Sequence, residues 1–384
     1  MTANTDSALT AFLQRLVQQR SLSGEEQAVI ALAEREMRAL GFARVFTDAN
    51  GSLIGVVEGA APGPTLLLDA HGDTVGITAP EAWTHDPFAA QIAEGRVYGR
   101  GTADMKGALA AMIYAAGTLD RQRIAGKVAV SVTVMEEVME GIALQTVLDT
   151  LKPDFVVIGE STDLNLNHGG RGRAEIRLEA IGRPAHSSNP QAGINAVHRM
   201  LPAIHAIEAL PPRADAFLGK GIMALTDIIS DPYPGYSVIP GRCTVTYDRR
   251  LLAGESIESL TRELQALPAL REVGVQVVTG EHTTYTGAVL RAPKFFPAWK
   301  FEAAHPFVQA ALNGLRAAGL TPALGAYSFC TNAAASAGMY GIPTVGFGPS
   351  QETMAHIIDE YVEIAHLSAA ARGYSGIIYS VLKQ

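Results

Sequence analysis

The sequence predicts an α/β protein in which a mostly parallel, helix-covered sheet is interrupted by an inserted α+β domain. Continuous apolar runs such as residues 65–70, typical of strands buried on both faces, alternate with segments of helical periodicity near both ends of the chain. Between these parts, about 120 residues follow the order β-α-β-β-α-β, which is the ferredoxin-like split motif and fits a small domain.

Length and composition agree with two domains. A chain of 384 residues divides into two at roughly 150 residues per domain. It is 48% hydrophobic and 18% charged, so it can bury a sizeable core and is not a disordered chain. The formal net charge of −8 argues against a general nucleic-acid surface. Two widely separated cysteines, Cys243 and Cys330, indicate a reduced, cytosolic protein.

The N-terminal segment predicts an amphipathic helix and no targeting signal. Leu9, Phe12, Leu13, Leu16 and Val17 recur at helical spacing, and no basic region followed by an apolar block precedes them. The longest weakly polar run, residues 107–119, is shorter than the roughly 18–20 residues that cross a bilayer. We therefore expect a soluble, cytoplasmic protein with neither a membrane nor a nucleic acid as partner.

The remaining elements follow in order. In the first part the pattern predicts a helix over 25–40, a hairpin with a tight primed turn at Asn50-Gly51, strands over 65–70, 127–135 and 155–159, and helices over 107–119 and 142–151. The insertion contains strands over 173–181, 222–229, 243–251 and 274–279 and helices over 193–210 and 255–267. A helix over 306–318, strands over 323–329 and 344–347, and a last helix from about 360 resume the first pattern. We therefore expect one domain from residues 1–167 and 291–384, with residues 168–290 inserted.

Ionisable side chains follow the ends of the predicted strands, where open α/β sheets place their functional sites. They are His71, Asp73, Asp104, Glu136, Glu137, Glu160 and His356. Each alone has an ordinary structural explanation, because a single histidine is usually a surface or core residue and a pair of glutamates usually a solvated helix face. Together, two imidazoles and several carboxylates at successive strand ends form the donor set of a divalent-metal site.

Other motifs exclude competing functions. Gly99-Arg100-Gly101 and Gly170-Arg171-Gly172 lack the full dinucleotide fingerprint, and no glycine loop carries a Walker lysine. A sugar- or nucleotide-binding α/β protein therefore lacks its phosphate loop. No Gly-x-Ser-x-Gly elbow supplies the nucleophile of a serine hydrolase.

The order of His-x-Asp, GRGTADMKG, Glu-Glu, IGE and a late Ala-His resembles one family of enzymes over essentially the whole chain. These are the co-catalytic zinc amidohydrolases and peptidases typified by acetylornithine deacetylase, succinyl-diaminopimelate desuccinylase and carboxypeptidase G. The segments GRGRAEI, AFLGKG and CTVTYDRRL carry a closer likeness, to the selenium-metabolism-linked hydrolases.

The resemblance implies two divalent metal ions, with Zn²⁺ as the default and Co²⁺ or Mn²⁺ compatible with the same donors. His71 and Glu160 would bind one ion, Glu137 and His356 the other, and Asp104 would bridge them.

The resemblance also implies three catalytic roles. Asp73 would hydrogen-bond the His71 ring and fix its tautomer, and Glu136 would be the general base. His186 would reach into the site of a partner chain and stabilise the oxyanion. Taken without the family, His186 is more simply a turn histidine beside Ser187 and Ser188.

Three residues are implied at the substrate end. Arg250 would bind a substrate carboxylate, helped by Thr331 and Asn332, and the alternative is that Arg250 pairs with a carboxylate of the protein itself. Relatives often have asparagine where this chain has Ser237 and aspartate where it has Asn332, so substrate identity stays open while the metal ligands match.

The function expected from the resemblance is di-metal hydrolysis of an amide bond in an N-acyl amino acid or short peptide with a free carboxylate. Deacylase and dipeptidase remain open alternatives. A metal-binding regulatory or scaffold protein without turnover is the alternative outside enzymes, and the presence of Glu136 argues against it. A homodimer through the inserted domain is also expected, because exposed strand edges pair.

Overall fold

Two large sheets organise the computed structural model, which describes residues 3–383. The larger sheet has nine strands among these residues. Its order is Arg44–Thr47, Leu53–Glu58, Ala125–Thr133, Ala61–His71, Phe155–Ile158, Thr344–Gly346, Leu166–Gly170 and Trp299–Lys300, with Leu324–Tyr327 also paired to Leu166–Gly170. The α/β class with a mostly parallel main sheet and a separate antiparallel sheet is confirmed.

Parallel pairing occupies the centre of the larger sheet. Ala61–His71 pairs in parallel with Ala125–Thr133 on one side and with Phe155–Ile158 on the other, and Thr344–Gly346 extends the parallel set. The carboxyl ends of these four strands therefore lie at one edge of the sheet. His71 ends its own strand, and the polar residues that follow the other three strands begin at the same edge.

Helices cover both faces of this sheet. They are Ala3–Val17, Gln27–Ala39, Gly107–Gly117, Ile142–Leu151, Pro306–Ala317 and Ile364–Val381. Leu66 and Leu68 pack into the core that includes Gly107–Gly117, whereas Leu67 packs into the core on the Ile142–Leu151 side. Since alternate residues of a strand face opposite sides of the sheet, this explains why residues 65–70 are apolar without interruption.

The inserted part has the predicted ferredoxin-like topology. Its strands are Gly172–Ile181, Ile222–Asp231, Arg242–Leu251 and Val273–Val277, and its helices are Ala196–Glu208 and Ile257–Gln265. In space the strand order is second, third, first, fourth, and every pairing is antiparallel. Phe295–Phe296 adds a fifth strand beside the first.

The chain passes between the two sheets twice. It leaves the larger sheet at Gly170 and enters the smaller one at Gly172, and it returns between Phe296 and Trp299. These crossings lie a few residues beyond 167 and 290. The predicted domain limits remain a prediction, since sheet membership alone does not define a domain.

Several short elements were not predicted. They include the hairpin Thr279–Thr283 with Val289–Pro293, the small sheet of Ile92–Ala93, Arg96–Tyr98 and Tyr361–Glu363, and the pairs Ala185–His186 with Val238–Ile239 and Ala214–Asp215 with Gly219–Lys220. Single helical turns occur at Pro80–Ala82, Thr102–Lys106, Arg121–Arg123, Pro190–Ala192, Pro268–Leu270, Ala334–Met339 and Glu352–Met354. Elements this short show no detectable hydrophobic period.

The predicted turn at Asn50-Gly51 is wrong. Arg44–Thr47 and Leu53–Glu58 do pair antiparallel, but residues 48–52 form a longer loop between them. With Asn50 and Gly51 at its centre, a primed turn needs positive φ at Asn50, alone in type II′ or together with Gly51 in type I′, but within this loop only Gly51 has a positive φ. The Asp48 carboxylate instead accepts hydrogen bonds from the N–H groups of Asn50 and Ser52, each at 2.9 Å, and so shapes the wider loop.

None of the helices within residues 3–383 is both long and apolar enough to cross a membrane.

Candidate metal centre

A cleft of about 560 Å³ lies at the carboxyl ends of the parallel strands. Asp104, Glu136, Glu137, Glu160 and His356 line it. Two arginines of the smaller sheet, Arg173 and Arg250, line the same cleft. The cleft therefore combines a group of carboxylates from the larger sheet with cationic side chains from the inserted domain.

Asp104 lies between the two predicted histidine ligands. One of its carboxylate oxygens is 2.9 Å from Nε2 of His71, and the other is 3.1 Å from Nε2 of His356. The same His356 nitrogen is 3.1 Å from a carboxylate oxygen of Glu137. A carboxylate that presents one oxygen to each imidazole has the arrangement of a bridging ligand.

His71 also faces two further carboxylates. Its Nε2 lies 3.5 Å from Glu160 and 3.9 Å from Glu136. Two sets of donor atoms, His71 with Asp104 and Glu137, and His71 with Glu136 and Glu160, are close enough to hold an ion. One imidazole nitrogen can ligate only one ion, so at most one of these two candidate sets can use Nε2 of His71.

The donor set fits two divalent ions. It mixes imidazole nitrogen with carboxylate oxygen, which Zn²⁺, Co²⁺ and Mn²⁺ all accept. Buried carboxylates at this density need cations as partners. Of the described residues in this cluster, only the two histidines can carry positive charge.

The pKa values of three side chains in this cluster are raised above their usual values. Burial raises the pKa of Glu136 well above its usual value, and burial with the nearby Asp104 charge raises that of Glu160 to about 7. Hydrogen bonds to Asp104 and Glu137 raise the pKa of His356 to about 10. Without metal, Glu136, Glu160 and His356 bind protons more tightly than free side chains do, and a divalent ion would compete with those protons.

Asp73 supports the site differently from the prediction. Its carboxylate accepts hydrogen bonds from the N–H groups of Glu136 and Glu137, each at 3.1 Å, and from the Ser23 hydroxyl at 2.6 Å. Nδ1 of His71 is 2.9 Å from the main-chain oxygen of Asp73 but 3.6 Å from its carboxylate. The predicted side-chain hydrogen bond to the ring is thus replaced by a main-chain one, and the carboxylate holds the Glu136-Glu137 segment.

Glu360 is a supporting residue that sequence reasoning missed. It is fully buried, and its carboxylate accepts hydrogen bonds from Arg100 at 2.6 Å and from the N–H groups of Ala103 and Asp104 at 2.8 and 3.1 Å. It therefore fixes the loop that presents Asp104. In the sequence, its position four residues after His356 is the one feature that could have indicated a role at this site.

Glu26 supports the backbone that directly precedes Glu136. It is fully buried and accepts hydrogen bonds from the N–H groups of Gly24 and Met135, at 3.0 and 3.1 Å. Met135 has a φ of 62°, in the left-handed region, and directly precedes Glu136. The sequence predicted only that Glu26 lies at the start of the helix over 25–40, and a buried carboxylate there carries no local signal.

The predicted substrate residues divide into two groups. Arg250 lines the cleft, with its Nε 2.9 Å from Asp248. Asn332 is not among the residues that line the cleft. Its side chain instead accepts a hydrogen bond from the Gly141 N–H at 2.7 Å and donates hydrogen bonds to Asp69 and Thr133, each at 2.9 Å.

Thr331 is also engaged by the protein, since its hydroxyl accepts a hydrogen bond from the Ala333 N–H at 3.2 Å. Thr331 and Asn332 are both buried and hold the loop after the strand Leu324–Tyr327. Their positions do not support the predicted contact with substrate.

His186 lies outside this cleft. It is exposed at the end of the short strand Ala185–His186, and its Nδ1 accepts hydrogen bonds from the N–H and hydroxyl groups of Ser188 at 3.1 and 2.8 Å. Of the described residues that line the cleft, none belongs to this strand. His186 therefore does not contact the metal-ligand cleft of its own chain in this structure.

Residues 67–380 match the model of Peptidase family M20/M25/M40. The chain belongs to this family. The protein YgeY of Escherichia coli K12, described as uncharacterized, is 34% identical over 384 residues, which cover 97% of this chain and 94% of YgeY. The acetylornithine deacetylase of Proteus mirabilis is 27% identical over 361 residues, which cover 89% of this chain and 86% of the deacetylase.

Solved structures of the M20 family share the fold. The metallo-carboxypeptidase Sso-CP2 of Sulfolobus solfataricus has a TM-score of 0.78 at 17% identity and covers 99% of this chain and 100% of its own. The Bacillus subtilis YXEP protein, a dinuclear metal-binding peptidase, has a TM-score of 0.72 at 16% identity, with 99% of each chain covered. The chain is thus an M20 protein with candidate metal-binding groups, in a family of peptidases and deacylases.

Proposed function

We propose that this M20 protein is a di-metal hydrolase of an amide bond in an N-acyl amino acid or short peptide with a free carboxylate. The observation that carries the proposal is the position of Asp104 between His71 and His356, with Glu137 and Glu160 beside them. His71 and Glu160 would hold one ion, and Glu137 and His356 would hold the other. Asp104 would bind both ions. Zn²⁺ is the default ion.

The residues of the chain account for the proton transfers of such a reaction. Divalent ions, when bound, lower the pKa of water and polarise a carbonyl oxygen. Glu136 lines the cleft and is suited to take a proton from the attacking water and return it to the leaving nitrogen. Burial raises the pKa of Glu136, which helps it to hold the proton between these two transfers. Asp73 keeps the backbone of Glu136 in place.

The substrate is expected to carry a carboxylate, because Arg250 lines the same cleft as the metal ligands. Deacylase and dipeptidase remain equally open, since this family contains both. The closer likeness to selenium-metabolism-linked hydrolases also stays a prediction. A metal-binding protein without turnover is the alternative, and the buried Glu136 beside the cluster argues against it.

A panel of substrates tests the proposal. Purified protein reconstituted with Zn²⁺, Co²⁺ or Mn²⁺ is assayed for amine release from N-acyl amino acids and dipeptides, with EDTA-treated protein as the control. We expect metal-dependent hydrolysis of at least one compound class. Stoichiometric metal binding with no hydrolysis of any compound would favour the regulatory or scaffold alternative.

We also propose a homodimer through the inserted domain. The strand Ile222–Asp231 forms an edge of the smaller sheet, and it exposes Ile222, Leu225, Ile228 and Ile229 by 39–55%. A long apolar edge strand of this kind pairs with another chain. In such a dimer His186 would act on the active site of the partner.

Size-exclusion chromatography with light scattering measures the oligomer. We expect a mass twice the 40.5 kDa of the chain. A strict monomer with full hydrolytic activity would contradict both the dimer and the proposed role of His186.

A further inference from the structure

The cleft contains a second arginine that the proposed function does not use. Arg173 lies on the strand Gly172–Ile181 and Arg250 on the strand Arg242–Leu251, and the two residues are directly opposite each other in the register. Both are partly exposed and both line the cleft. Like charges directly opposite across a pair of strands destabilise a sheet, so this arrangement needs anions around it.

One carboxylate holds both guanidinium groups. One oxygen of Asp248 accepts a hydrogen bond from Nε of Arg173 at 2.6 Å, and the other forms an ion pair with Nε of Arg250 at 2.9 Å. Asp248 is two residues from Arg250 on the same strand, and therefore on the same face of the sheet. It fixes the two arginines side by side through the nitrogens nearest the main chain.

Of the terminal Nη nitrogens of Arg173 and Arg250, one donates a hydrogen bond to a described residue. Nη1 of Arg173 donates to Glu140 of the larger sheet's domain at 2.8 Å. Nη2 of Arg173 and both terminal nitrogens of Arg250 have no hydrogen-bond partner among the described residues. Planar guanidinium groups with free N–H donors bind carboxylates in a directed way that a lysine does not.

We propose that Arg173 and Arg250 together form a two-arginine subsite that binds a single carboxylate of the substrate, with Asp248 as the positioning residue between them. The inference rests on the proposed function and deepens it, because it assigns Arg173 to substrate recognition. It also explains why two arginines stand opposite each other where one would suffice to pair with Asp248. Two arginines and two carboxylates, Asp248 and Glu140, give the group no net charge before the substrate arrives.

The test compares variants that change Arg173 without leaving Glu140 as a buried, unpaired charge. Arg173→Lys keeps the charge but loses the planar donor group. The double variant R173Q/E140Q removes both partners of the ion pair, which is better tolerated than removing one. The matched control is Arg177→Gln, on the same face of the same strand but outside the cleft. Thermal midpoints confirm that each variant is folded.

Kinetics with a carboxylate substrate and its primary carboxamide give the main result. For the best substrate of the panel, both Arg173 variants are expected to raise KM by about tenfold or more, the effect of losing a hydrogen bond to a charged group. The kcat value should change little, the carboxamide should be hydrolysed as by wild type, and Arg177→Gln should match wild type. An equal loss for carboxylate and carboxamide, or a fall in kcat at unchanged KM, would overturn the proposal.

A binding measurement separates this proposal from the proposed function. If zinc-loaded wild type hydrolyses no compound of the panel, calorimetry with N-acetylglycine and N-acetylglycinamide still tests the subsite. Binding of N-acetylglycine alone, weakened about tenfold in both Arg173 variants, would support the subsite although the hydrolase proposal had failed. Equal binding of the two probes, or binding of neither, would overturn it.

Discussion

The Glu136→Ala protein is expected to bind its metal ions and to lose nearly all turnover. Glu136 is buried in the cleft with its carboxylate 3.9 Å from Nε2 of His71. A general base in such a position contributes typically about 10²–10⁴-fold to the rate. We therefore expect kcat to fall by that factor, measured on the best substrate of the panel, while the metal content per chain stays at the wild-type value.

Glu352 provides the matched control for this variant. It lines the same cleft, but its carboxylate accepts a hydrogen bond from the Ser328 hydroxyl at 2.6 Å and does not belong to the metal-binding groups. Glu352→Gln should therefore keep most of the wild-type kcat. A Glu136→Ala protein with near-normal kcat would show that another group transfers the proton.

Glu360→Ala is expected to lower the free energy of unfolding by about 3–5 kcal/mol, the cost of removing one partner of a buried ion pair. The change leaves the buried Arg100 without its partner and the N–H groups of Ala103 and Asp104 without their acceptor. Urea denaturation of metal-free wild type and variant measures the difference. The metal affinity of the variant should fall too, because Asp104 is no longer fixed.

Two further variants control for this effect. Glu363→Ala removes an exposed ion pair with Arg96, which is 3.6 Å long, and should cost at most about 1 kcal/mol. R100M/E360Q removes both charges of the buried pair and should be less destabilised than Glu360→Ala. A Glu360→Ala protein as stable as Glu363→Ala would show that the buried pair does not hold the Asp104 loop.

Long elements with a clear hydrophobic period could be predicted from the sequence. The uninterrupted apolar run at residues 65–70 indicated a strand covered on both faces, and the structure places it at the centre of the larger sheet. The β-α-β-β-α-β order of the insertion was also correct. The turn at Asn50-Gly51 was wrong because the Asp48 side chain, rather than the dipeptide, sets the loop geometry.

The clustering of most candidate metal ligands could be predicted because they end or follow parallel strands, which bring their carboxyl ends together, whereas Asp104 follows a strand of the small three-stranded sheet. The residues that support them could not. Glu360 contacts Arg100 across 260 positions of sequence, and Glu26 contacts Met135 across 109. Contacts of this range depend on the tertiary structure and leave no local pattern.

Substrate recognition was the part least accessible from the sequence. Asn332 was expected at the substrate, but its amide binds Asp69 and Thr133 within the protein. Arg173 was treated as the start of an ordinary strand, although it reaches the cleft and pairs with Glu140. A side chain's direction at a strand end depends on how the two sheets meet, and the hydrophobic pattern does not specify that.

Removal and restoration of metal tests the central proposal most directly. Amide hydrolysis of the best substrate is measured on wild type after EDTA treatment and again during titration with Zn²⁺, while bound metal per chain is determined in parallel. The proposed two-ion site predicts no activity in the metal-free protein and recovery that is complete at two ions per chain. Full activity with no bound metal would contradict it.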